Sequence, residues 1–121
     1  MTNFTDLTVD SLTKGGVHLH EDLPVTALIS INEGVVTLSN AAAPVVATLA
    51  KPTATTDDFK RLHVISLAAQ AHTLAIVGGS FGNGGVGEDV ATFLNKIGTN
   101  IALIAYQGEW YIVGGLGITV A

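Results

Sequence analysis

Asn100 to Gly114 reads NIALIAYQGEWYIVG, two apolar runs, Asn100–Tyr106 and Glu109–Gly114, that meet at Gln107-Gly108. Glycine adopts positive φ without steric cost, so a glycine at a tight reversal between β-branched and aromatic runs predicts a β-hairpin. The stretch holds the only tryptophan, Trp110, and both tyrosines, Tyr106 and Tyr111. Large aromatics bury the most area per residue, so a core is expected to condense here.

The rest of the chain repeats the theme of short apolar runs and turns. Val25–Ile31 and Val35–Ser39 flank Asn32-Glu33-Gly34, and Leu62–Leu67 and His72–Val77 flank Ala68–Ala71. Each pair predicts a further hairpin. In Leu62–Leu67 the alternation places Leu62, Val64 and Ser66 on one face and His63, Ile65 and Leu67 on the other. The apolar run AAAPVVATLAKP carries Pro44 and Pro52, which suits an edge or a short strand because proline cannot donate to a ladder. Asp57–Lys60 has room for one helical turn capped by Thr56 or Asp57. Val90–Leu94 reads as a strand or one face of a short helix, and Gly115–Ala121 as a closing strand. Some nine to eleven short strands with turn signals and no long amphipathic helix predict an all-β domain, a compact sandwich or barrel of short antiparallel strands.

Residues 1–16, MTNFTDLTVDSLTKGG, differ from this pattern: short alternating apolar positions lie among Asp, Thr and Ser. They read as an extended N-terminal arm ahead of a single β domain over 17–121. The arm lacks the basic region and apolar core of a signal peptide, and no run reaches the ~18 apolar residues of a membrane helix.

Charged residues make up 12% of the 121 positions and hydrophobic residues 48%. A small domain has limited interior for so much apolar surface, which favours burial against copies of itself. The five Lys and Arg are spread along the chain against ten Asp and Glu, a net charge of −5. Nucleic acid, which demands a clustered positive surface, is therefore disfavoured. No cysteine is present, so disulfides and thiolate metal sites are excluded.

Motifs with chemical meaning are sparse. His18 and His20 would share a face of an extended strand beside Glu21 and Asp22, so a divalent ion and a solvated histidine pair both fit, but a metal site needs further ligands. Gly82 to Gly87 spells GxGxxG, yet no strand runs directly into it and no long helix follows, and a P-loop lysine is missing. Gly78–Gly87 thus reads as a rim loop with Phe81 as its anchor. No spacing supports a Ser–His–carboxylate site, so no catalytic, cofactor or metal residues are assigned and an enzyme is not expected.

From Gly34 to Ala121 the order of motifs resembles small bacteriophage virion structural proteins. An acidic turn precedes a strand pair, DDFKRLHVISLAAQAHTLAI; a glycine-rich loop leads into an ATF strand, GGSFGNGGVGEDVATF; and the IALIAYQGEWYIV hairpin closes the domain. NFTDLTVDSLTKGG is similar to the leader arms of such proteins. The resemblance implies a non-enzymatic homotrimer, made in the host cytoplasm and carried on the virion, without cofactor or membrane contact. Its partners would be itself and the major capsid protein. The short length favours a capsid decoration (cement) protein that stabilises the shell, with a trimeric fibre or carbohydrate-binding tip as the alternative. In that picture Phe4, Leu7, Val9 and Leu12 of the arm touch the shell or a neighbouring subunit. Tyr106, Trp110 and Tyr111 form the core or trimer contact; for a binding tip the same aromatics would be an exposed platform.

Overall fold

The computed structural model of the chain describes residues 19–82 and 88–121. Ten strands make two five-stranded sheets packed face to face, a sandwich that does not close into a barrel. Sheet 1 has the order β1 (His20–Leu23), β3 (Gly34–Leu38), β5 (Arg61–Ser66), β8 (Asn100–Tyr106), β9 (Glu109–Leu116). Sheet 2 has the order β10 (Ile118–Val120), β7 (Val90–Phe93), β6 (Thr73–Val77), β4 (Val46–Ala50), β2 (Ala27–Leu28).

Up to Val77 the chain alternates between sheets, so β1, β3 and β5 stack parallel in one and β2, β4 and β6 stack parallel in the other. Each strand is followed by a crossover instead of a reversal. The architecture is that of a two-sided coil of three turns, closed by antiparallel strands: β8 and β9 finish sheet 1, β7 and β10 finish sheet 2. Half of the eight strand pairings are thus parallel, where antiparallel ones were expected.

Two expected hairpins are corrected by this topology. Val25–Ile31 and Val35–Ser39 contribute β2 and β3, and Leu62–Leu67 and His72–Val77 contribute β5 and β6; both pairs lie in different sheets. A hairpin joins strands ~4.8 Å apart, whereas these connections span the ~10 Å between packed sheets. The proline-bracketed β4 is short but not an edge strand: Pro44 and Pro52 lie outside it, and it pairs on both sides. No helical turn forms at Asp57–Lys60; residues 54–59 make successive turns, and the Asp57 carboxylate accepts the Thr53 N–H at 2.7 Å.

The 100–114 hairpin forms as expected. Gln107 (φ 47°) and Gly108 (φ 81°) both adopt the left-handed conformation of a type I′ turn, whose twist matches that of the strands. Gln107 bears that conformation because Asp58 clasps it: the carboxylate accepts its N–H at 2.8 Å and its side-chain amide at 2.6 Å.

The core lies between the sheets. Val36, Val64, Ile101 and Leu103 from sheet 1 meet Ala47, Leu74, Ile76 and Phe93 from sheet 2. In β5 the inward set is Leu62, Val64 and Ser66, the face the alternation assigned. Phe81 is fully buried, anchoring its loop to the core.

Candidate interaction surfaces

Of the aromatics expected together, the hairpin register separates two. Ala105 faces Trp110 and both point inward; Tyr106 faces Glu109 and points out. Trp110 is 1% exposed, and its indole Nε1–H donates to the Ala50 carbonyl at 2.9 Å, tying sheet 1 to sheet 2. It is core and takes no part in an exposed platform. Tyr111 is half-buried, with Gly82 so close that a Cβ there would lie 2.8 Å from its ring. Tyr106 is exposed and pairs with exposed Phe59, ring centroids 5.6 Å apart. Phe59 itself sits at φ 70°, strained for an aromatic residue.

The two outer faces differ in chemistry. That of sheet 1 is mixed: Val35, Ile65, Ile104 and Leu116 stand among charged and polar side chains, and several of the polar ones are bonded to each other. Thr37 Oγ1 donates to Asp22 at 2.7 Å and lies 3.1 Å from His20 Nε2; Ser39 Oγ donates to Asp22 at 2.9 Å; His63 Nε2 lies 2.9 Å from Asn100 Oδ1. Arg61 and Glu109 add charge at one end of this face. His20 therefore spends its Nε2 on a strand neighbour; His18 lies outside the described residues. Among the described residues no group of three His, Asp or Glu is placed to hold a metal ion.

The outer face of sheet 2 carries no charge at all. Its outward positions are Leu28, Val46, Thr48, Ala50, Thr73, Ala75, Val77, Val90, Thr92 and Thr119. Thr73, Thr92 and Thr119 stand side by side in one register row. Leu28, Val46 and Val77 are each about half exposed.

Charge is also segregated along the strands. Every strand of the coil runs the same way within its sheet, so all crossovers that follow a sheet 1 strand gather at one end, together with the β7–β8 turn and Gly117. That end comprises residues 24–26, 39–45, 67–72 and 94–99, and Lys96 is its one charged residue. Of the twelve charged residues among those described, nine lie at the opposite end: Glu33, Lys51, Asp57, Asp58, Lys60, Arg61, Glu88, Asp89 and Glu109; the others are Glu21, Asp22 and Lys96. There Lys60 pairs with Asp57 at 3.0 Å and Lys51 with Glu109 at 3.4 Å. The Thr53 N–H, with help from Lys60, holds the Asp57 carboxyl below the usual carboxylate range.

A groove of about 510 Å³ opens where the uncharged end meets sheet 2, lined by Ala71, Thr92, Leu94, Asn95, Gly117 and Thr119 among others.

His72 braces this junction from inside. It is fully buried; Val45 N–H donates to its Nδ1 at 2.8 Å, and its carbonyl accepts the Phe93 N–H at 2.8 Å. The bond to Nδ1 places the ring proton on Nε2, which makes no hydrogen bond. Burial pushes the imidazole pKa below 6.5, with the Ala68 carbonyl working in the other direction. A depressed pKa means that below pH 6.5 the unfolded chain takes up a proton that the native one refuses, so stability falls with falling pH. Above pH 6.5 the contribution is flat. Asp57 acts in a separate window, from 3.8 downward, where its carboxylate contacts are lost. The expected result is that the denaturant midpoint drops between pH 6.5 and 5, and that His72→Gln, though less stable at pH 8, shows a flatter profile there. Parallel profiles for the two proteins would contradict this.

The chain matches no known family model and no curated protein.

Proposed function

We propose that this chain is a non-catalytic virion structural protein, a capsid decoration protein that binds the outside of a phage shell as a homotrimer and stabilises it. The observation that carries the reading is the segregation of charge: one sheet face bears none and one end bears only Lys96. A strand exposed on one face normally alternates apolar with polar residues. VATLA, TLAIV and VATF place one threonine each on the outer face among Val and Ala, and have no charged residue at either parity. Such strands suit a protein that is permanently assembled, and three copies would turn weak shell contacts into avidity.

In this reading the arm, with Phe4, Leu7, Val9 and Leu12, reaches the major capsid protein or a neighbouring subunit; residues 1–16 lie outside the described residues. Leu19, the first described residue, precedes β1 at the charged end, and in this reading that end faces the shell. The test is co-sedimentation with phage shells stripped of decoration protein. The full chain is expected to pellet with shells at a fixed ratio. A chain lacking residues 1–14 is expected to stay folded and associated but remain in the supernatant. Equal pelleting of both would remove the arm's role, and no pelleting of the full chain would remove the decoration reading.

One observation favours the second reading, a fibre or carbohydrate-binding tip. Phe59 and Tyr106 form an exposed aromatic pair at the charged end, with Phe59 held in a strained conformation. A glycan array that lights up with the native chain and goes dark with Phe59→Ala would move this reading ahead.

A further inference from the structure

Resting on the reading that the chain self-associates, we infer that the outer face of sheet 2, with the groove beside it, is the seam between copies of this chain. The outer face of sheet 1, which carries Asp22, Arg61 and Glu109, lies outside that seam.

The first support is electrostatic. The chain has a net charge of −5, so two copies repel wherever acidic residues meet. Sheet 1 presents Asp22, Arg61 and Glu109, and the far end is dense with carboxylates. The sheet 2 face is the one broad surface of the described residues on which a second copy can be laid with no charge buried and no like charges opposed. Burying an unpaired charge strips it of water with nothing in return. Here that penalty does not arise.

The second support is hydrogen bonding. Polar outward residues of sheet 1 are tied to each other, as in Asp22 with Thr37 and Ser39 and His63 with Asn100, so those hydrogen bonds are made within a single chain. On sheet 2 the Thr73–Thr92–Thr119 row offers hydroxyls among β-branched and small side chains. Hydroxyls can both donate and accept, so the row of one copy can donate to that of the next while accepting from the third about a threefold axis.

The third support is area. The strands of sheet 2 are two to five residues long, and at ~4.8 Å between strands and ~3.3 Å per residue they make a plane of about 300 Å². The adjoining groove and the exposed Leu94 and Ile97 of its turn extend this uncharged surface towards the ~600 Å² that one partner gives to the smaller stable interfaces. The groove is continuous with the face through Thr92 and Thr119, which belong to both. Leu94 of the turn lines the groove, and Ile97 beside it is exposed, so the groove and its rim are apolar as well as uncharged.

Because the chain has no cysteine, Thr92→Cys and Val35→Cys each create a single thiol, on the outer faces of sheets 2 and 1 respectively. Both positions are exposed in the single chain. Under native conditions at micromolar concentration, the Thr92→Cys thiol should react with a maleimide at least tenfold more slowly than the Val35→Cys thiol; in urea the two should react alike. As a second arm, Val46→Glu with Thr92→Glu should reduce the native mass to one chain while buried-tryptophan fluorescence stays unchanged, and Val35→Glu should leave the mass as it was. Native labelling of Thr92→Cys as fast as Val35→Cys, in a protein of multimeric mass, overturns the seam and leaves self-association standing. A single-chain mass for the unaltered protein overturns both.

Discussion

Replacing Trp110 with alanine should lower stability by about 3–5 kcal/mol, the range for deleting a large buried aromatic, and the thermal midpoint by roughly 10–20 °C. Trp110 is the largest of the fully buried side chains, and two losses coincide at this position. Apolar contacts disappear from a site that cannot collapse, because the paired β8 backbone holds one side and the Ala50 strand the other. The indole N–H bond to Ala50, which links the sheets at the charged end, is lost as well. Trp110→Phe keeps most of the volume and should cost well under half as much. Equal effects from the two substitutions would mean that the hydrogen bond, not packing, dominates. A shift below 1 kcal/mol for Trp110→Ala would contradict the placement of this side chain in the core.

Gly34→Ala is expected to be as severe for a different reason. Gly34 has φ of +111°, and a Cβ at this position would collide with the Leu19 carbonyl, which is backbone and accepts the Val35 N–H at 2.9 Å. The substitution therefore adds left-handed strain, worth about 1–2 kcal/mol, to the displacement of β1 from its parallel pairing with β3. A total near 3 kcal/mol or more is expected, or loss of the folded protein. The damage should be local at first: hydrogen exchange of the β1 amides should quicken before that of β8 and β9, which lie two strands or more away. Uniform protection in Gly34→Ala at wild-type stability would show that the backbone here has room the structure denies it.

The same contrast between side-chain pattern and backbone path explains what was legible in the sequence. Alternation with a period of two was enough to sort the faces of β5, and Gln107-Gly108 was enough to locate the hairpin. Topology was not, because a crossover and a hairpin leave the same local marks: two apolar runs around a short polar or alanine-rich link. Only the partner strands decide, and those lie far away in sequence: Gly34 pairs with Leu62, and Val46 with Thr73. The coil leaves no repeat of fixed period in the sequence because its turns differ in length, His20 pairing with Val35 but Gly34 with Leu62.

The candidate surface shows the same division. That β4, β6 and β7 lack charge at both parities is plain in VATLA, TLAIV and VATF. Read alone, the strands suit a position buried on both sides, and the fold leaves one side bare. Tyr106 and Trp110, four residues apart, were grouped by proximity in sequence. The register across the turn puts Trp110 opposite Ala105 and so in the core, while Tyr106 goes outward to meet Phe59, a partner no local pattern marks. The polarisation of charge between the two ends depends on every crossover that leaves sheet 1 falling at one end and every crossover that returns to it falling at the other, and that too follows from topology.

Self-association is the claim on which the proposed role and the seam both rest, and native mass tests it most directly. Light scattering across a size-exclusion peak at micromolar concentration should give three chains of 12.4 kDa, unchanged on tenfold dilution. A mass of one chain at the same concentration would mean that the bare face of sheet 2 stays in water, and would contradict the account.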